Sequence, residues 1–394
     1  MSSTETLQIK NYIGLKGDKP IKFIASDVDG TLVNDAKAIP DEAIEAIRAA
    51  RERGIRVAIA SGRAWNEMND VIEKLPCLRY FMCTNGAYVM DKDENRSLFH
   101  VNFDKEQALY LLRKLLTYGV YVEAYVKDQI FGMYPPSRCI TPERLSACAS
   151  ECKAPNKKGS NSLMDNHLPS FTNHAQLGVT GEDLPSVNKE HLPGETHDRY
   201  ALAESDEAAK ATMSECEVEQ SNFFFRPNIR PFLLATRTMV CDLLAHMESL
   251  EDGPEKIQIF YGDEPMRQRI LQDLRDEYQG LSHDGTGRER FYDVLLSSEG
   301  NLEFVLPHTT KGTAVEALAK HWGFSPDEVM TLGDSENDLS MLRFAGAGVA
   351  MGNAKPNIKE AARYETTDNN HQGVAKAIYS AIAHNNELTK SKSL

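Results

Sequence analysis

The sequence predicts an α/β fold with a doubly wound parallel-sheet core and an inserted α+β cap domain. From Ile21 onward, short apolar runs alternate with amphipathic segments, which is typical of strands and helices in a parallel sheet. The same alternation returns near the carboxyl terminus, between Ala314 and Gly352. A long middle region with a different pattern separates the two. We therefore expect the two ends of the chain to form one sheet and the middle to form a second unit.

The first half of the predicted core has three apolar runs that indicate strands, at Lys22–Ser26, Arg56–Ala60 and Arg79–Asn85. The stretch from Asp41 to Arg53 is predicted as a helix because Ile44, Ile47 and Ala50 share one helical face. Gly54 follows directly, and glycine is favoured just past a helix end. These elements have the lengths expected of a βαβ unit.

The second half repeats this arrangement. A helix is predicted to end by Gly323, and strands are predicted at Glu328–Gly333 and Ala347–Gly352. Ser325, Pro326 and Glu328 form a capping box that predicts another helix start. In the middle region we expect a helix at 102–119, mostly strand at 120–133, a strand at 256–262 and a helix at 264–279.

The predicted domain limits follow from these elements. Residues 1–101 are assigned to the first half of the core, 102–305 to the cap and 306–394 to the second half of the core. Within the cap, about 135–222 is rich in Ser, Asn, Pro, Glu and Lys and has little periodicity. A structureless loop of that length is improbable inside a compact domain, so this segment is predicted to be a disordered insertion.

Composition excludes several classes of protein. A net charge of -14 argues against a nucleic-acid-binding protein, because phosphate backbones are held by surplus Lys and Arg. The seven cysteines form no CxxC pair, which is typical of reduced thiols in an intracellular protein. The polar amino terminus and the absence of a long apolar run predict no membrane contact and a cytoplasmic location. Oligomeric state stays open.

The first chemical motif, DVDGT, follows the first predicted strand directly. Ligands bind at the carboxyl ends of strands in an open parallel sheet, so Asp27 and Asp29 are expected in a binding site. Asp27 is predicted to attack phosphorus as a nucleophile, and Asp29 to act as the proton donor and acceptor. Neighbouring carboxylates repel each other, so a divalent cation is expected beside them. Alone, such a string also suits an ordinary turn.

Three further motifs are predicted at the same edge of the sheet. Ser61-Gly62-Arg63 follows the second strand and offers a hydroxyl and backbone N–H groups to a phosphate. Lys311 opens a helix and supplies a positive charge for the phosphate. Asp334 is a predicted ligand of Mg²⁺, and Asn337 is expected either to reach a phosphate oxygen or to orient Lys311. Each motif has an ordinary structural explanation, but their convergence favours an active site.

The segments DVDGTL, SGR, the Lys311 helix and GDSENDLSML resemble the four motifs of the haloacid dehalogenase superfamily. Their order, with a cap between the second and third, is similar to that of the Cof-type sugar phosphatases of subfamily IIB, and TNGAYV and AGVAMGNA add to the likeness. The resemblance implies a Rossmann-like core. It implies Mg²⁺ bound by the Asp27 carboxylate, the Asp29 carbonyl and Asp334. It also implies phosphate held by the Val28 N–H, Ser61, Gly62, Lys311 and Asn337.

Taken together, the motifs predict a Mg²⁺-dependent phosphatase of small phosphorylated metabolites that works through an aspartyl-phosphate on Asp27. Thr31 and Asp338 are expected to support the metal and phosphate ligands. Sugar phosphates are the substrates that the resemblance implies. Two alternatives stay open: a phosphomutase similar to phosphomannomutase, which begins with the same intermediate, and a catalytically inactive binding protein.

Overall fold

The structure is a computed structural model, and it describes residues 13–133, 236–240, 242–261, 264–283, 291–295 and 300–391. In the helix at 264–283, the side chains are described as far as residue 277. The segment predicted to be disordered, about 135–222, lies outside the described residues.

The first sheet, here called the core sheet, has eight strands in the order β14-β13-β12-β1-β2-β3-β4-β5. From β14 to β3 all neighbours are parallel, and β4 and β5 extend the sheet in antiparallel fashion. The strands are β1 (Phe23–Ser26), β2 (Arg56–Ala60), β3 (Tyr80–Cys83), β4 (Tyr88–Asp91), β5 (Arg96–His100), β12 (Val329–Gly333), β13 (Ala347–Ala350) and β14 (Tyr364–Glu365).

Helices cover both faces of the core sheet. Because successive strand residues point to opposite faces, Ile24 of β1 packs into one apolar cluster while Phe23 and Ala25 pack into another. The helices are α1 (Asp41–Glu52), α2 (Asn69–Lys74), α6 (Lys311–His321), α7 (Leu339–Phe344), α8 (Pro356–Ala361) and α9 (Gly373–Ser391). The first cluster takes residues from α1 and α9, and the second from α6 and α7. The sheet is thus doubly wound, as the sequence predicts.

The second sheet, here called the cap sheet, has six strands in the order β10-β11-β9-β6-β7-β8. Its strands are β6 (Tyr121–Val126), β7 (Gln129–Met133), β8 (Arg237–Met239), β9 (Lys256–Phe260), β10 (Asp293–Leu295) and β11 (Asn301–Val305), and its helices are α3 (Lys105–Leu116), α4 (Leu243–Ser249) and α5 (Glu264–His283). One face is apolar and packs on these helices through residues such as Val122, Ile257 and Phe304. The alternate residues of the same strands are polar, and contacts from this second face reach the core.

The predicted α/β fold is confirmed, with one local correction. The capping box at Ser325 forms, and the Ser325 backbone N–H donates to Glu328 Oε2 at 2.9 Å. The predicted helix start is nevertheless wrong, because only one 3₁₀ turn, Pro326–Glu328, fits before β12 begins at Val329. Among the residues that the structure describes, no helix has the length and apolarity needed to cross a membrane.

Candidate active site

The four predicted motifs meet at one edge of the core sheet. Asp27 follows β1, Ser61 follows β2 and Asp334 follows β12, and these three strands are neighbours in the sheet. Because the strands are parallel, their carboxyl ends lie side by side. Lys311 begins α6, whose amino terminus is capped by the Thr310 side chain, which accepts a hydrogen bond from the Thr313 N–H. The sheet order therefore brings together residues from both ends of the chain.

Three carboxylates and one ammonium form the centre of this site. Oxygen atoms of Asp27, Asp334 and Asp338 all lie within 4.8 Å of one another. Lys311 Nζ lies 2.6 Å from Asp27 Oδ1 and 2.6 Å from Asp338 Oδ1. Asp27, Asp338 and Lys311 are almost fully buried. Asp27 and Asp338 thus hold the Lys311 ammonium, and that Asn337 orients Lys311 stays a prediction.

The cluster carries more negative than positive charge. Burial raises the pKa of Asp27 well above its ordinary value, and the nearby Asp338 and Asp334 raise it further, while Lys311 opposes them. Burial and the neighbouring Asp338 raise the pKa of Asp334 to about 7. Asp27 Oδ2 is buried and has no hydrogen-bond partner among the described residues. An orphaned carboxylate oxygen among crowded acids fits a hard divalent cation.

Local backbone geometry holds the carboxylates in place. Thr31 Oγ1 donates to Asp334 Oδ1 at 2.9 Å. Asp338 Oδ2 accepts hydrogen bonds from the backbone N–H groups of Asp334 (2.9 Å) and Ser335 (3.0 Å). Gly30 has a φ of +82°, and a Cβ there would lie 2.4 Å from Asp334 Oδ2. The glycine of the DxDGT motif thus leaves space for the acid of the distant GDSEND motif.

The Asp29 side chain pairs with Arg63. Arg63 Nε and Nη2 each lie 2.7 Å from one of the two Asp29 oxygens, and Arg63 Nη1 also contacts Asp70. The Asp29 side chain keeps 48% of its surface open to solvent. Burial raises the pKa of Asp29, yet the hydrogen bonds and charge of Arg63 outweigh this effect and hold the pKa below its ordinary value.

The predicted phosphate-binding residues lie around the same cluster. The Val28 side chain is buried in the core, so only its backbone is available to a ligand. Ser61 is also buried, and its Oγ accepts a hydrogen bond from the Arg63 N–H at 3.2 Å. Asn337 Oδ1 accepts a hydrogen bond from Ser335 Oγ at 2.6 Å. That these residues bind phosphate stays a prediction.

The sequence motifs assign no role to three further residues, Arg63, Asn85 and Asn353. Arg63 and Asn85 stand within the SGR and TNGAYV segments, yet nothing in their spacing indicates their contacts. Asn85 lies between Asn337, whose Nδ2 donates to it, and Glu303 of the cap sheet. Asn353 Nδ2 donates to the Gly30 carbonyl at 2.9 Å and lies 3.4 Å from Asp334 Oδ2. Asn85 ends a predicted strand and Asn353 follows one, so a polar residue at a strand end is the available signal.

The polar face of the cap sheet covers part of this edge. Lys256 Nζ donates to the Gly62 carbonyl at 3.2 Å and lies 3.1 Å from Glu303 Oε1. Arg237 forms a buried ion pair with Glu67 of the core and another with Glu123 of β6. The cap therefore presents buried hydrogen-bonding groups, rather than an apolar surface, to the predicted phosphate site.

The family sequence model of the haloacid dehalogenase-like hydrolases matches residues 24–198 and 231–378 of this chain. The chain belongs to this family. Phosphatase YwpJ of Bacillus subtilis is 27% identical to this chain over 357 residues, which cover 90% of this chain and 98% of YwpJ. The 5-amino-6-(5-phospho-D-ribitylamino)uracil phosphatase YwtE of the same organism is 26% identical over 358 residues, covering 90% and 96% of the two chains.

Solved structures share the fold of the hydrolase. A haloacid dehalogenase-like hydrolase from Bacteroides thetaiotaomicron superposes with a TM-score of 0.58 at 22% identity, covering 91% of this chain and 98% of the other. A subclass IIB sugar phosphatase superposes with a TM-score of 0.55 at 18% identity, covering 91% and 98%. The predicted membership of this superfamily, with its Cof-type subfamily IIB resemblance, is confirmed, and so is the enzyme class, a hydrolase of phosphate monoesters.

Proposed function

We propose that the hydrolase is a Mg²⁺-dependent phosphatase of small metabolites that transfers the phosphoryl group to Asp27 and then to water. The observation that carries this proposal is the contact of the buried Asp27 with Lys311, within a cluster that also contains Asp334 and Asp338. The negative carboxylates suit a bound metal ion, and the positive Lys311 ammonium suits a bound phosphate.

The proposed metal site consists of Asp27, the backbone carbonyl of Asp29 and Asp334. The orphaned Asp27 Oδ2 and the raised pKa of Asp334 both fit a group that is completed by a cation. Bound Mg²⁺ would polarise the phosphoryl oxygens. Asp338 holds the Lys311 ammonium, and Thr31 holds the Asp334 carboxylate, so each of these two residues supports a ligand.

The proposed reaction has two steps. In the first, an Asp27 oxygen forms a bond to phosphorus, the bond from phosphorus to the leaving oxygen breaks, and the protonated form of Asp29 gives its proton to that oxygen. In the second, water attacks the phosphoryl group, Asp29 takes a proton from the water, and the bond to Asp27 breaks. The Lys311 ammonium offsets the charge on the transferring group, and Ser61, Gly62, Asn337 and the Val28 N–H hold its oxygens.

We propose a hydroxyl-rich leaving group, as in a sugar phosphate. The polar cap-sheet face, with Glu123, Tyr125 and Gln258 beside Lys256 and Glu303, offers both donors and acceptors to hydroxyl groups. The ribityl-uracil phosphatase among the relatives is named for a substrate with a polyhydroxyl chain, and this supports the proposal. The cytoplasmic location stays a prediction.

The test measures inorganic phosphate released from a panel of phosphorylated metabolites and from p-nitrophenyl phosphate, with Mg²⁺ or with EDTA. Asp27→Asn is expected to abolish release while the unfolding midpoint changes little, because Lys311 keeps Asp338 as its buried partner. Asp41→Asn, which alters an exposed acid in the first turn of α1, is the matched control and is expected to behave as wild type. Equal activity of wild type and Asp27→Asn would refute the proposal, and isomerised sugar phosphate without phosphate release would assign a mutase.

A further inference from the structure

The turn after β3 has an unusual backbone. Thr84, Asn85 and Gly86 have φ values of 53°, 55° and 94° in succession. A β-branched residue rarely adopts this conformation, whereas asparagine and glycine tolerate it better. At Gly86 a Cβ would lie 2.5 Å from the Thr310 carbonyl oxygen, directly before α6. Strained backbone persists where the surrounding structure requires it, and here it places the buried Asn85 at the active-site edge.

Asn85 links the cap to the predicted phosphate site. Its Nδ2 donates to Glu303 Oε2 on β11 of the cap sheet at 2.8 Å. Its Oδ1 accepts a hydrogen bond from Asn337 Nδ2 at 3.2 Å. The three side chains thus form a continuous chain of hydrogen bonds. Asn85 is 218 positions from Glu303 and 252 positions from Asn337 in the sequence.

The Glu303 carboxylate determines the direction of this hydrogen-bond chain. An ionised carboxylate only accepts hydrogen bonds, so Asn85 must turn its NH₂ group toward Glu303 and its carbonyl toward Asn337. The Asn337 amide must then turn its own NH₂ group toward Asn85 Oδ1. Ser335 Oγ lies 2.6 Å from Asn337 Oδ1 and 3.1 Å from Asp338 Oδ2, and donation of its single proton to the nearer oxygen favours the same orientation. One Asn337 N–H contacts Asn85, and the second would be available to a phosphate oxygen.

These contacts require the cap sheet to lie against the core. Lys256 on β9 pairs with Glu303 Oε1 at 3.1 Å and donates to the Gly62 carbonyl at 3.2 Å. Lys256 and Glu303 are both almost fully buried. If the cap sheet moved away, Asn85 would lose the carboxylate that fixes its amide.

We propose that Glu303 is a positioning residue, which acts through Asn85 to turn the Asn337 amide so that it presents an N–H to the phosphate. The site would then offer its full set of donors only when the cap sheet covers it. This inference rests on the proposed function, because it takes Asn337 as a phosphate ligand.

The test is a double-mutant cycle between Glu303→Gln and Asn337→Ala, with two readouts in Mg²⁺: kcat/KM on p-nitrophenyl phosphate and affinity for inorganic phosphate by calorimetry. Glutamine can turn either end of its amide toward Asn85. The variant therefore keeps the shape of the Glu303 side chain but no longer fixes the direction of the Asn85 amide. We expect Glu303→Gln to lower both quantities roughly tenfold in the wild-type background. In the Asn337→Ala background it is expected to change them less than about twofold, because no amide is left to orient.

Glu123→Gln is the matched control. Glu123 is a buried acid on the same face of the cap sheet, but it contacts Arg237 and Tyr125 instead of Asn85. Its effect is expected to be the same with and without Asn337. Since Glu303→Gln leaves the Lys256 ammonium without its carboxylate, Glu303→Gln/Lys256→Met is measured as well and is expected to give the same cycle.

Two results would overturn the inference: effects of Glu303→Gln that are equally large with and without Asn337, or wild-type affinity for phosphate in the Glu303→Gln protein. The calorimetric readout requires no turnover. If the wild-type protein hydrolyses no ester while phosphate binding still shows the coupling, the phosphatase proposal fails and the positioning role of Glu303 stands.

Discussion

Lys311 and Asp27 are 284 residues apart in the chain, and their Nζ and Oδ1 atoms lie 2.6 Å apart. The same ammonium contacts Asp338 Oδ1 at 2.6 Å. Lys311 therefore joins β1 to the turn after β12 through a buried contact. Removing one partner of a buried ion pair is costly, because it leaves an uncompensated charge inside the protein.

Lys311→Met is expected to lower both stability and activity. In EDTA the unpaired carboxylates should cost about 3–5 kcal/mol of unfolding free energy, and with Mg²⁺ hydrolysis should fall about 10²–10³-fold. Denaturant unfolding and phosphate release measure the two effects. Lys320→Met is the control, since Lys320 lies on the same helix, is exposed and pairs only one turn away with Glu316. Similar losses in both variants would contradict the assigned role of Lys311.

The metal-free protein is expected to lose stability as pH rises from about 4 to about 7. Burial raises the pKa of Asp334 to about 7 and raises that of Asp27 as well, whereas the unfolded carboxyls ionise near 4. In this window the folded state keeps protons that the unfolded state has released, so the unfolding free energy falls with pH.

Unfolding in EDTA across this pH range checks the expectation, with Asp334→Asn as the comparison because asparagine cannot ionise. The variant should show a smaller decrease in unfolding free energy. Mg²⁺ should raise the wild-type unfolding midpoint more at pH 8 than at pH 5, because the cation binds the ionised carboxylates. Parallel pH curves for the two proteins would show that Asp334 does not titrate as proposed.

Arg63→Gln is expected to shift the pH dependence of hydrolysis. Burial raises the pKa of Asp29, but Arg63 lowers it more, so removing Arg63 raises it. If Asp29 is the general acid, activity falls where it loses its proton, and this limb of the kcat/KM profile should move to higher pH in the variant. Arg63→Lys, which keeps the charge, should move it less. A superimposable profile for Arg63→Gln would remove Asp29 from this role.

Gly30→Ala is expected to reduce affinity for Mg²⁺ and to destabilise the fold. A Cβ at Gly30 would lie 2.4 Å from Asp334 Oδ2, so the carboxylate must move. Gly54→Ala is the matched control, because Gly54 has a similar φ, +78° against +82°, and nothing lies within 4 Å of its Cβ position. Both variants carry backbone strain of about 1 kcal/mol. Only Gly30→Ala should weaken Mg²⁺ binding in calorimetry, and equal affinities in the two variants would contradict this.

The sequence was sufficient to predict those parts of the site that depend on strand ends. Asp27, Ser61 and Asp334 each follow a buried apolar run directly, and parallel strands bring such positions to one edge. The positions of these residues can therefore be predicted without knowledge of side-chain contacts. The apolar pattern does not predict the antiparallel strands β4 and β5, because Tyr88–Asp91 and Arg96–His100 are short and only partly apolar.

The contacts between the two sheets were not predictable in this way. Glu303 and Asn85 meet only because the cap sheet rests on the core, and neither residue has a local pattern that specifies its partner. The pairing of Arg63 with Asp29 depends on side-chain reach between two neighbouring turns. Periodicity assigns residues to faces of a sheet, but it does not determine which faces of two sheets come together.

The most direct test of the central claim is to search for a phosphoryl group on Asp27. Wild-type enzyme is mixed with p-nitrophenyl phosphate and Mg²⁺, quenched with acid during turnover and digested, and the peptide that contains Asp27 is analysed by mass spectrometry. The account predicts an acid-stable, alkali-labile phosphoryl group on Asp27 that is absent from Asp27→Asn. Turnover with no phosphoryl group on Asp27, or with one on another residue, would contradict it.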